Sequence, residues 1–338
     1  MNTTTTSLQE AYETAKAENP KMRIRDIARH LNTSEAQLVA IKEGNIFLNN
    51  QFSELLKEVH TLGHVMALTR NDQAVHERKG VYNNISFEGM MGLAVNEDID
   101  LRLFMMNWKY GFAVTEGERK SLQFFDKTGE AVHKIYLTEK SDEAAYTALV
   151  EKFAAPEALP ELLPTEAAAP VPAELPDSAI DVAAFQQEWL ALEDTHHFFG
   201  LVRKYKLSRT QALRLAPEGM VKAVGADTSR KMLQAAAEQQ LPIMVFVGSK
   251  GCIQIHTGMV SNLMETGPWY NVLDPEFNLH LREDAIASTY IVKKPSVDGI
   301  VTSIEVFDAA GEMIVQFFGK RKPGNPELEG WRTVIAGL

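Results

Sequence analysis

The chain has 338 residues, of which 45% are hydrophobic and 23% are charged, a composition typical of a globular protein long enough for two domains. Its net charge of -11 at pH 7 argues against a nucleic-acid partner, because a polyanion is repelled by a negative surface. The single cysteine, Cys252, excludes an intramolecular disulfide. The polar residues 1–7 and the lack of a long apolar run predict no signal peptide and no membrane insertion, which makes the cytoplasm the default location.

Helical spacing predicts helices over residues 8–43, with Asn19 capping a helix that has Pro20 at its first position. A turn at 32–34 and a helix over 35–42 complete a helix-turn-helix pattern. DNA binding is the weaker interpretation of this pattern, since the segment is short and the charge of the whole chain is unfavourable.

Short hydrophobic runs then alternate with turn residues, which predicts an antiparallel sheet. The predicted strands cover residues 65–69, 74–77, 93–95, 101–104, 112–115, 121–126 and 131–137. Residues 142–153 are predicted to form a closing helix. The fold class is therefore α+β.

A segment rich in Ala, Pro and Glu follows over residues 154–178. It contains six prolines, namely Pro156, Pro160, Pro164, Pro170, Pro172 and Pro176, and this composition predicts a stiff, extended linker. The linker separates an N-terminal part, residues 1–153, from a C-terminal part, residues 179–338.

The two parts repeat one pattern. Matching residues in the first and second part are Ser121 and Ser303, Phe125 and Phe307, Asp126 and Asp308, Gly129 and Gly311, and Glu130 and Glu312, all 182 positions apart. Glu43 and Gly44 match Glu218 and Gly219 at a distance of 175 positions. These matches predict a tandem duplication of one unit of helices and sheet.

Two adjacent histidines, His196 and His197, occur only in the second copy, and Lys21 takes the place of His196 in the first. A continuous helix over 185–203 would place His196 on a buried stripe. The match of Asp194 with Asn19 of the first half suggests that Asp194 caps a helix beginning near Thr195. The stripe consists of Phe185, Trp189, Leu192, His196 and Phe199. His196 then faces an apolar ligand or, alternatively, is an ordinary core histidine.

Motifs for nucleotide, zinc or acyl-transfer chemistry are lacking. The remaining features are a histidine on an apolar face, many Met and Phe residues, and three second-half cations, Arg209, Lys294 and Arg321. Haem would use all of these features, since it is flat, apolar and dianionic and its iron accepts an imidazole.

The sequence also resembles the bacterial cytoplasmic haemin-degrading, haemin-transport proteins over nearly its whole length. The resemblance is carried by residues 100–104 (DLRLF), 121–136 with the core QFFD, 195–199 (THHFF) and 243–258 with FVG and GCIQI.

The resemblance implies that haem lies between the halves, with the axial ligand at His196 and the distal arginine at Arg102. Family pocket residues fall on Phe104, Arg209, Phe246, Lys294, Gln316 and Arg321. Phe318 departs from the tyrosine of many relatives, His197 offers an alternative ligand one residue away, and His76 is a weaker second candidate.

Two functions fit this resemblance. The first is oxidative opening of imported haem with an external electron donor and release of iron, for which Arg102 is the catalytic candidate. The second is carriage of haem from an import transporter to a separate haem oxygenase. By strand alternation Arg102 shares a face with Asp100 and Phe104, so a structural salt bridge is the alternative role. Cys252 is predicted to be a small buried residue.

Overall fold

The structure is a computed structural model that describes residues 5–156, 162–170, 172–322 and 324–338. Residues 1–4 of the polar start and Pro160 of the linker therefore lie outside the described residues. The helices are α1 Thr5–Glu18, α2 Ile24–His30, α3 Glu35–Ala40, α4 Phe52–Glu58, α5 Glu143–Phe153, α6 Val182–Leu190, α7 His197–Lys204, α8 Arg209–Arg214, α9 Thr228–Glu238 and α10 Glu329–Ala336.

The strands of the first half are β1 Ile46–Leu48, β2 Gly63–Arg70, β3 Ala74–Gly80, β4 Ile85–Glu88, β5 Met91–Val95, β6 Asp100–Phe104, β7 Tyr110–Glu116, β8 Arg119–Phe125 and β9 Ala131–Ser141. Those of the second half are β10 Val221–Val224, β11 Ile243–Gly248, β12 Cys252–Gly258, β13 Leu263–Thr266, β14 Trp269–Leu273, β15 Phe277–Arg282, β16 Ser288–Ser296, β17 Gly299–Phe307 and β18 Met313–Gly319.

The chain forms two compact units that exchange short segments. Unit 1 comprises Met1–Arg70, His76–Ala169 and Gly248–Gln254, and unit 2 comprises Asn71–Val75, Pro170–Val247 and Ile255–Leu338. Each unit therefore includes a piece of chain from the other half of the sequence.

Unit 1 contains strands in the order β1-β7-β8-β9-β2-β3 and the meander β4-β5-β6. One core contains side chains of α4 and α5 such as Leu55 and Leu149, together with Leu122 and Ile135 of the sheet. A second core contains α3 side chains and Phe112. The sheet is thus covered by helices on both faces.

Unit 2 has the strand order β10-β16-β17-β18-β11-β12 and the meander β13-β14-β15. Strand β17 shows how its sheet separates two cores, since successive side chains point to opposite faces. Ile304 and Val306 pack in the core that contains Trp331 of α10 and side chains of α9. Phe307, which follows a bulge after Val306, packs with Trp189 and Phe198 in the core of α6, α7 and α8.

The predicted duplication is confirmed by the strand registers. In unit 1, Ser121 pairs with Tyr136 and Gln123 with Lys134, and the residues 182 positions later pair identically, Ser303 with Phe318 and Glu305 with Gln316. Both hairpins carry a register shift at the same place, between Phe124 and Phe125 and between Val306 and Phe307. The α+β class and the two homologous halves are therefore observed.

The ends of corresponding helices are also alike in the two halves, and they give a more exact alignment of one half with the other. Ser34 and Ser208 cap α3 and α8 by accepting from the backbones of Gln37 and Gln211. Asn32 and Lys206, 174 positions apart, both have positive φ, 52° and 55°. At this distance His196 aligns with Met22 rather than with Lys21, and the histidine still has no counterpart in the first half.

Two local predictions are wrong. Asn19 and Pro20 lie after the end of α1, and α2 begins only at Ile24. The helix expected over 185–203 is interrupted, because α6 ends at Leu190 and α7 begins at His197. The strands β1 and β4 were not predicted from the sequence, since each is short and lacks a clear alternation.

The linker is anchored to the units by its backbone carbonyls. In unit 1, the carbonyl of Leu163 accepts from Gln37 Nε2 at 2.9 Å, and Leu163 itself is buried. In unit 2, the carbonyl of Leu175 accepts from Gln211 Nε2 at 2.7 Å. These contacts fix an extended segment that has no helix or strand over residues 162–170 and 172–176.

No helix within the described ranges is both long and apolar enough to cross a membrane.

Candidate functional site

His196 lies on the surface in the turn that leads into α7. Its side chain is 81% exposed, and Phe199, another member of the predicted stripe, is 71% exposed. The predicted buried stripe is wrong at these two residues because the chain turns after Leu190, which brings Phe198 into the core in their place. The alternative of an ordinary core histidine is wrong for the same reason.

One carboxylate oxygen of Asp194 makes two contacts with His196. Its Oδ1 accepts from the backbone N–H of His196 at 2.8 Å and lies 2.6 Å from the ring Nδ1. The backbone hydrogen bond is the main cause that lowers the pKa of Asp194 below its usual value. An ionised carboxylate only accepts hydrogen bonds, so the ring donates from Nδ1, which leaves Nε2 as the nitrogen available to a metal. The predicted capping role is wrong, because α7 begins at His197, its N-cap residue is His196, and no side chain caps it. Asp194 instead holds the turn before α7 and contacts the ring.

Two of the predicted cations meet beneath α7. The Arg209 guanidinium and the Lys294 ammonium lie 4.5 Å and 5.0 Å from the centroid of the Phe198 ring. Both also bind Glu305, which is fully buried: Arg209 donates to its two oxygens at 2.9 and 2.7 Å, and Lys294 donates at 2.6 Å. This group, called the second-half triad below, consists of Arg209, Lys294 and Glu305.

Electrostatics within the second-half triad favour a net charge of +1. Burial raises the pKa of Glu305, but Arg209 and Lys294 outweigh burial and hold it well below its usual range. Burial lowers the pKa of Lys294 to about 8, against the opposing effect of Glu305. One carboxylate therefore neutralises one of two cations near neutral pH.

Phe246, Gln316 and Phe318 extend the same face of the unit 2 sheet. Gln316 pairs with Glu305 on one side and with Phe246 on the other, and directly opposed residues of antiparallel strands point to the same face. The rings of Phe246 and Phe318 are 4.9 Å apart, and all three side chains are half-buried. The structure thus brings these predicted pocket residues into one row beside the triad.

Arg321 lies apart from the second-half triad, in the segment after β18. Its Nη2 is 3.4 Å from Asp298 Oδ2, and its Nε is buried without a hydrogen-bond partner among the described residues. Arg321 therefore retains donor capacity that Asp298 does not use.

Arg102 and Phe104 belong to unit 1. They alternate with the buried Leu101 and Leu103 in β6, as predicted, and share the half-buried face of this strand with Asp100. Arg102 donates to the Asp100 carboxylate, so the salt bridge weighed in the sequence is present. Burial raises the pKa of Asp100, although Arg102 opposes this effect.

The sheet face around Arg102 is apolar. Leu93 lies directly across from Arg102, Met91 from Phe104, and Val95 from Asp100. All three apolar side chains are exposed. A guanidinium within an exposed apolar sheet face has the composition expected for a surface that contacts an apolar ligand.

Other candidates are buried. His76 has no exposed surface in β3, so an iron could reach its ring only after local opening of the sheet. Cys252 is buried, as predicted, and burial raises the pKa of its thiol to about 12, which keeps it protonated.

Sequence reasoning does not identify the residues that contact or lie opposite the predicted site residues. Glu305 lies within the matched hairpin but is not one of its matching residues, and the sequence does not single out Met91, Leu93 and Val95. The buried carboxylate in an otherwise apolar strand was the available signal for Glu305, because a buried charge requires a partner.

Comparison with known proteins agrees with these features. The family described as haemin-degrading HemS.ChuX domain matches residues 32–153 and again residues 206–338. The hemin transport proteins HmuS of Yersinia pestis and HemS of Yersinia enterocolitica are each 40% identical over 98% of this chain and 97% of their own length.

Solved structures give the same result. Apo-PhuS, a heme-binding protein from Pseudomonas aeruginosa, is 47% identical and superposes with a TM-score of 0.96 over 99% of both chains. ChuS, an E. coli heme oxygenase, is 35% identical with a TM-score of 0.87 over 97% of this chain and 99% of its own. With two family matches that coincide with its two structural halves, the chain belongs to the haemin-degrading HemS/ChuX family.

Proposed function

We propose that the protein binds haem as its substrate, with His196 as the iron ligand, and opens the macrocycle oxidatively to release iron. The observation that carries this proposal is the exposed imidazole of His196, whose Nδ1 is held by Asp194. Metal-binding histidines commonly bond a carboxylate through the other ring nitrogen, and His196 has this arrangement.

The residues of unit 2 fit the chemistry of haem. His196 supplies a nitrogen ligand, Phe246 and Phe318 supply apolar surface, and the second-half triad supplies a net positive charge next to Phe198. Arg321, with an unused donor, is a further candidate to bind a carboxylate. His197 is exposed beside His196 and stays the alternative ligand.

Arg102 is the proposed catalytic residue. Bound haem supplies the iron that activates dioxygen, with electrons from an external donor. Arg102 donates hydrogen bonds and carries a permanent charge, so it stabilises developing negative charge without acting as a base. Phe104 and the apolar side chains around Arg102 support contact with the macrocycle.

Carriage of haem is the second candidate function. The likeness to PhuS, described as a heme-binding protein, is higher at 47% identity than the likeness to ChuS, described as a heme oxygenase, at 35%. In this case the chain would take haem from an import transporter and pass it to a separate haem oxygenase. We place either activity in the cytoplasm, on the grounds given by the sequence.

One experiment separates the two functions. The haem-loaded protein is exposed to air with each physiological reductant in turn, with catalase present to remove free peroxide, and its Soret band is followed. An enzyme loses the Soret band and releases iron. A carrier keeps the band and transfers haem to an added acceptor, and this result would overturn the degradation proposal. If mixing with the protein leaves the Soret band of free haem unchanged, both functions are overturned.

A further inference from the structure

Asp194 makes two hydrogen bonds that have different consequences. The bond to the His196 backbone at 2.8 Å belongs to the turn before α7, where an Asp side chain commonly accepts from the backbone N–H two residues further on. The bond to the ring Nδ1 at 2.6 Å does nothing for the helix. It fixes which ring nitrogen carries the proton and how the ring is oriented.

The neighbouring histidine lacks this restraint. His197 is the first residue of α7 and is exposed, and within the described ranges no hydrogen bond to its ring is found. Both imidazoles are exposed, but only the ring of His196 is hydrogen-bonded to the Asp194 carboxylate.

We infer that Asp194 is a positioning residue that selects His196 over His197 as the iron ligand and holds Nε2 of His196 ready for the metal. This inference rests on the proposed function. A carboxylate that accepts from Nδ1–H fixes the tautomer and makes the opposite nitrogen a better donor, and loss of such a partner typically costs about 10- to 100-fold in metal affinity. The restraint also keeps the exposed ring from rotating freely before haem arrives, which reduces the entropy lost on binding.

Three variants of the full chain separate the ring contact from the backbone contact. Asp194→Asn keeps a neutral acceptor, and Asp194→Ala removes both hydrogen bonds. The matched control is Asp181→Ala, because Asp181 precedes α6 of the same unit and accepts only from the backbone, from Ala184 N at 3.0 Å. It therefore reports the loss of an aspartate-to-backbone hydrogen bond without a ring contact.

The first measurement needs no haem. Nitrogen-15 NMR of the histidine rings at pH 8 reports the tautomer, and we expect Nδ1–H for His196 in the wild type and a shift toward Nε2–H in Asp194→Ala. The control Asp181→Ala should match the wild type. An Nε2–H tautomer for His196 in the wild type would overturn the inference.

The second measurement uses the haem complex. We expect the iron–histidine stretching frequency of the ferrous complex to fall in Asp194→Asn and Asp194→Ala, and haem affinity to fall about 10- to 100-fold in Asp194→Ala, with Asp181→Ala unchanged. If the wild type binds haem through His196 and all variants share its frequency and affinity, the inference is wrong while the proposed function stands. If a crystal structure of the unmutated complex shows iron bonded to a residue other than His196, both fail.

Discussion

At the scale of single residues, the two adjacent histidines give the sharpest prediction. His196→Ala should shift the Soret band and weaken haem binding, whereas His197→Ala should leave both nearly unchanged, because only the His196 ring is held by Asp194. Haem titration followed by absorbance measures both effects. Since His197 can substitute once His196 is removed, a crystal structure of the unmutated complex is the decisive control, and iron bonded to His197 there would refute the assignment.

Arg102 carries the prediction about chemistry. Arg102→Ala should retain haem, since His196 and the second-half cations are intact, but should lose reductant-dependent conversion by at least about tenfold, the scale of removing one charge-stabilising donor. Single-turnover decay of the Soret band measures this loss. The matched control is Arg102→Lys, which keeps the charge, and unchanged conversion in Arg102→Ala would return Arg102 to its structural pair with Asp100.

At the scale of elements, each half buries one carboxylate between two cations, but on different strands and helices. In unit 1, Glu35 of α3 binds Arg70 and Lys134. In unit 2 the corresponding helix position is Arg209, and the carboxylate is Glu305 of β17. The first residue of the helix is therefore negative in unit 1 and positive in unit 2. Its ion-pair partners are correspondingly two cations in unit 1 and a carboxylate in unit 2.

The second-half triad should be sensitive to loss of its carboxylate. Glu305→Gln leaves Lys294 and Arg209 without their shared partner, and removing one member of a buried pair costs about 3–5 kcal/mol. The free energy of unfolding by urea measures this change. Glu312→Gln is the control, as Glu312 is exposed on the adjacent turn and should change the unfolding free energy by less than about 0.5 kcal/mol. An equal effect of the two variants would contradict the prediction.

The lowered pKa of Glu35 predicts that the folded state becomes less stable at acidic pH. Burial alone raises its pKa, but Lys134 and Arg70 outweigh burial and lower it to about 2, from the usual value of 4.5. A lowered carboxyl pKa stabilises the folded state fully above the unfolded value, and this contribution is lost as the pH falls from about 4.5 to about 2. The loss is about 3 kcal/mol.

Urea unfolding between pH 5 and pH 2 measures this acid effect. Glu35→Gln should be less stable at pH 5 and should lose less stability than the wild type on acidification. If the wild type and the variant lose the same unfolding free energy over this range, Glu35 is not the group responsible.

At the scale of the whole molecule, duplication and asymmetry predict the stoichiometry. The scaffold occurs twice, yet Met22 stands where His196 stands in the second copy, and the helix position of Arg209 is occupied by Glu35. One tight haem site per chain is therefore expected, seen as a single strong Soret transition on titration. Saturation by two equally tight sites would contradict this asymmetry.

The sequence by itself determined the class, the duplication and the family. Strand alternation placed Arg102 and Phe104 on one face correctly, because period-two patterning is imposed by the strand itself. Matching turns predicted the repeated hairpin, since turn glycines such as Gly129 and Gly311 occupy the same positive-φ conformation. These features are local, and local residue chemistry is sufficient to specify them.

Only the tertiary structure decided the environment of the predicted site residues. Helical periodicity placed His196 on a buried stripe, but the chain turns after Leu190 and α7 packs through Phe198. Periodicity assumes a continuous helix and cannot locate such a break. The partnership of Arg209 and Lys294 with Glu305 was hidden for a related reason. It joins Arg209 to Glu305, 96 positions away, and such a contact is set by the packing of helix on sheet rather than by sequence spacing.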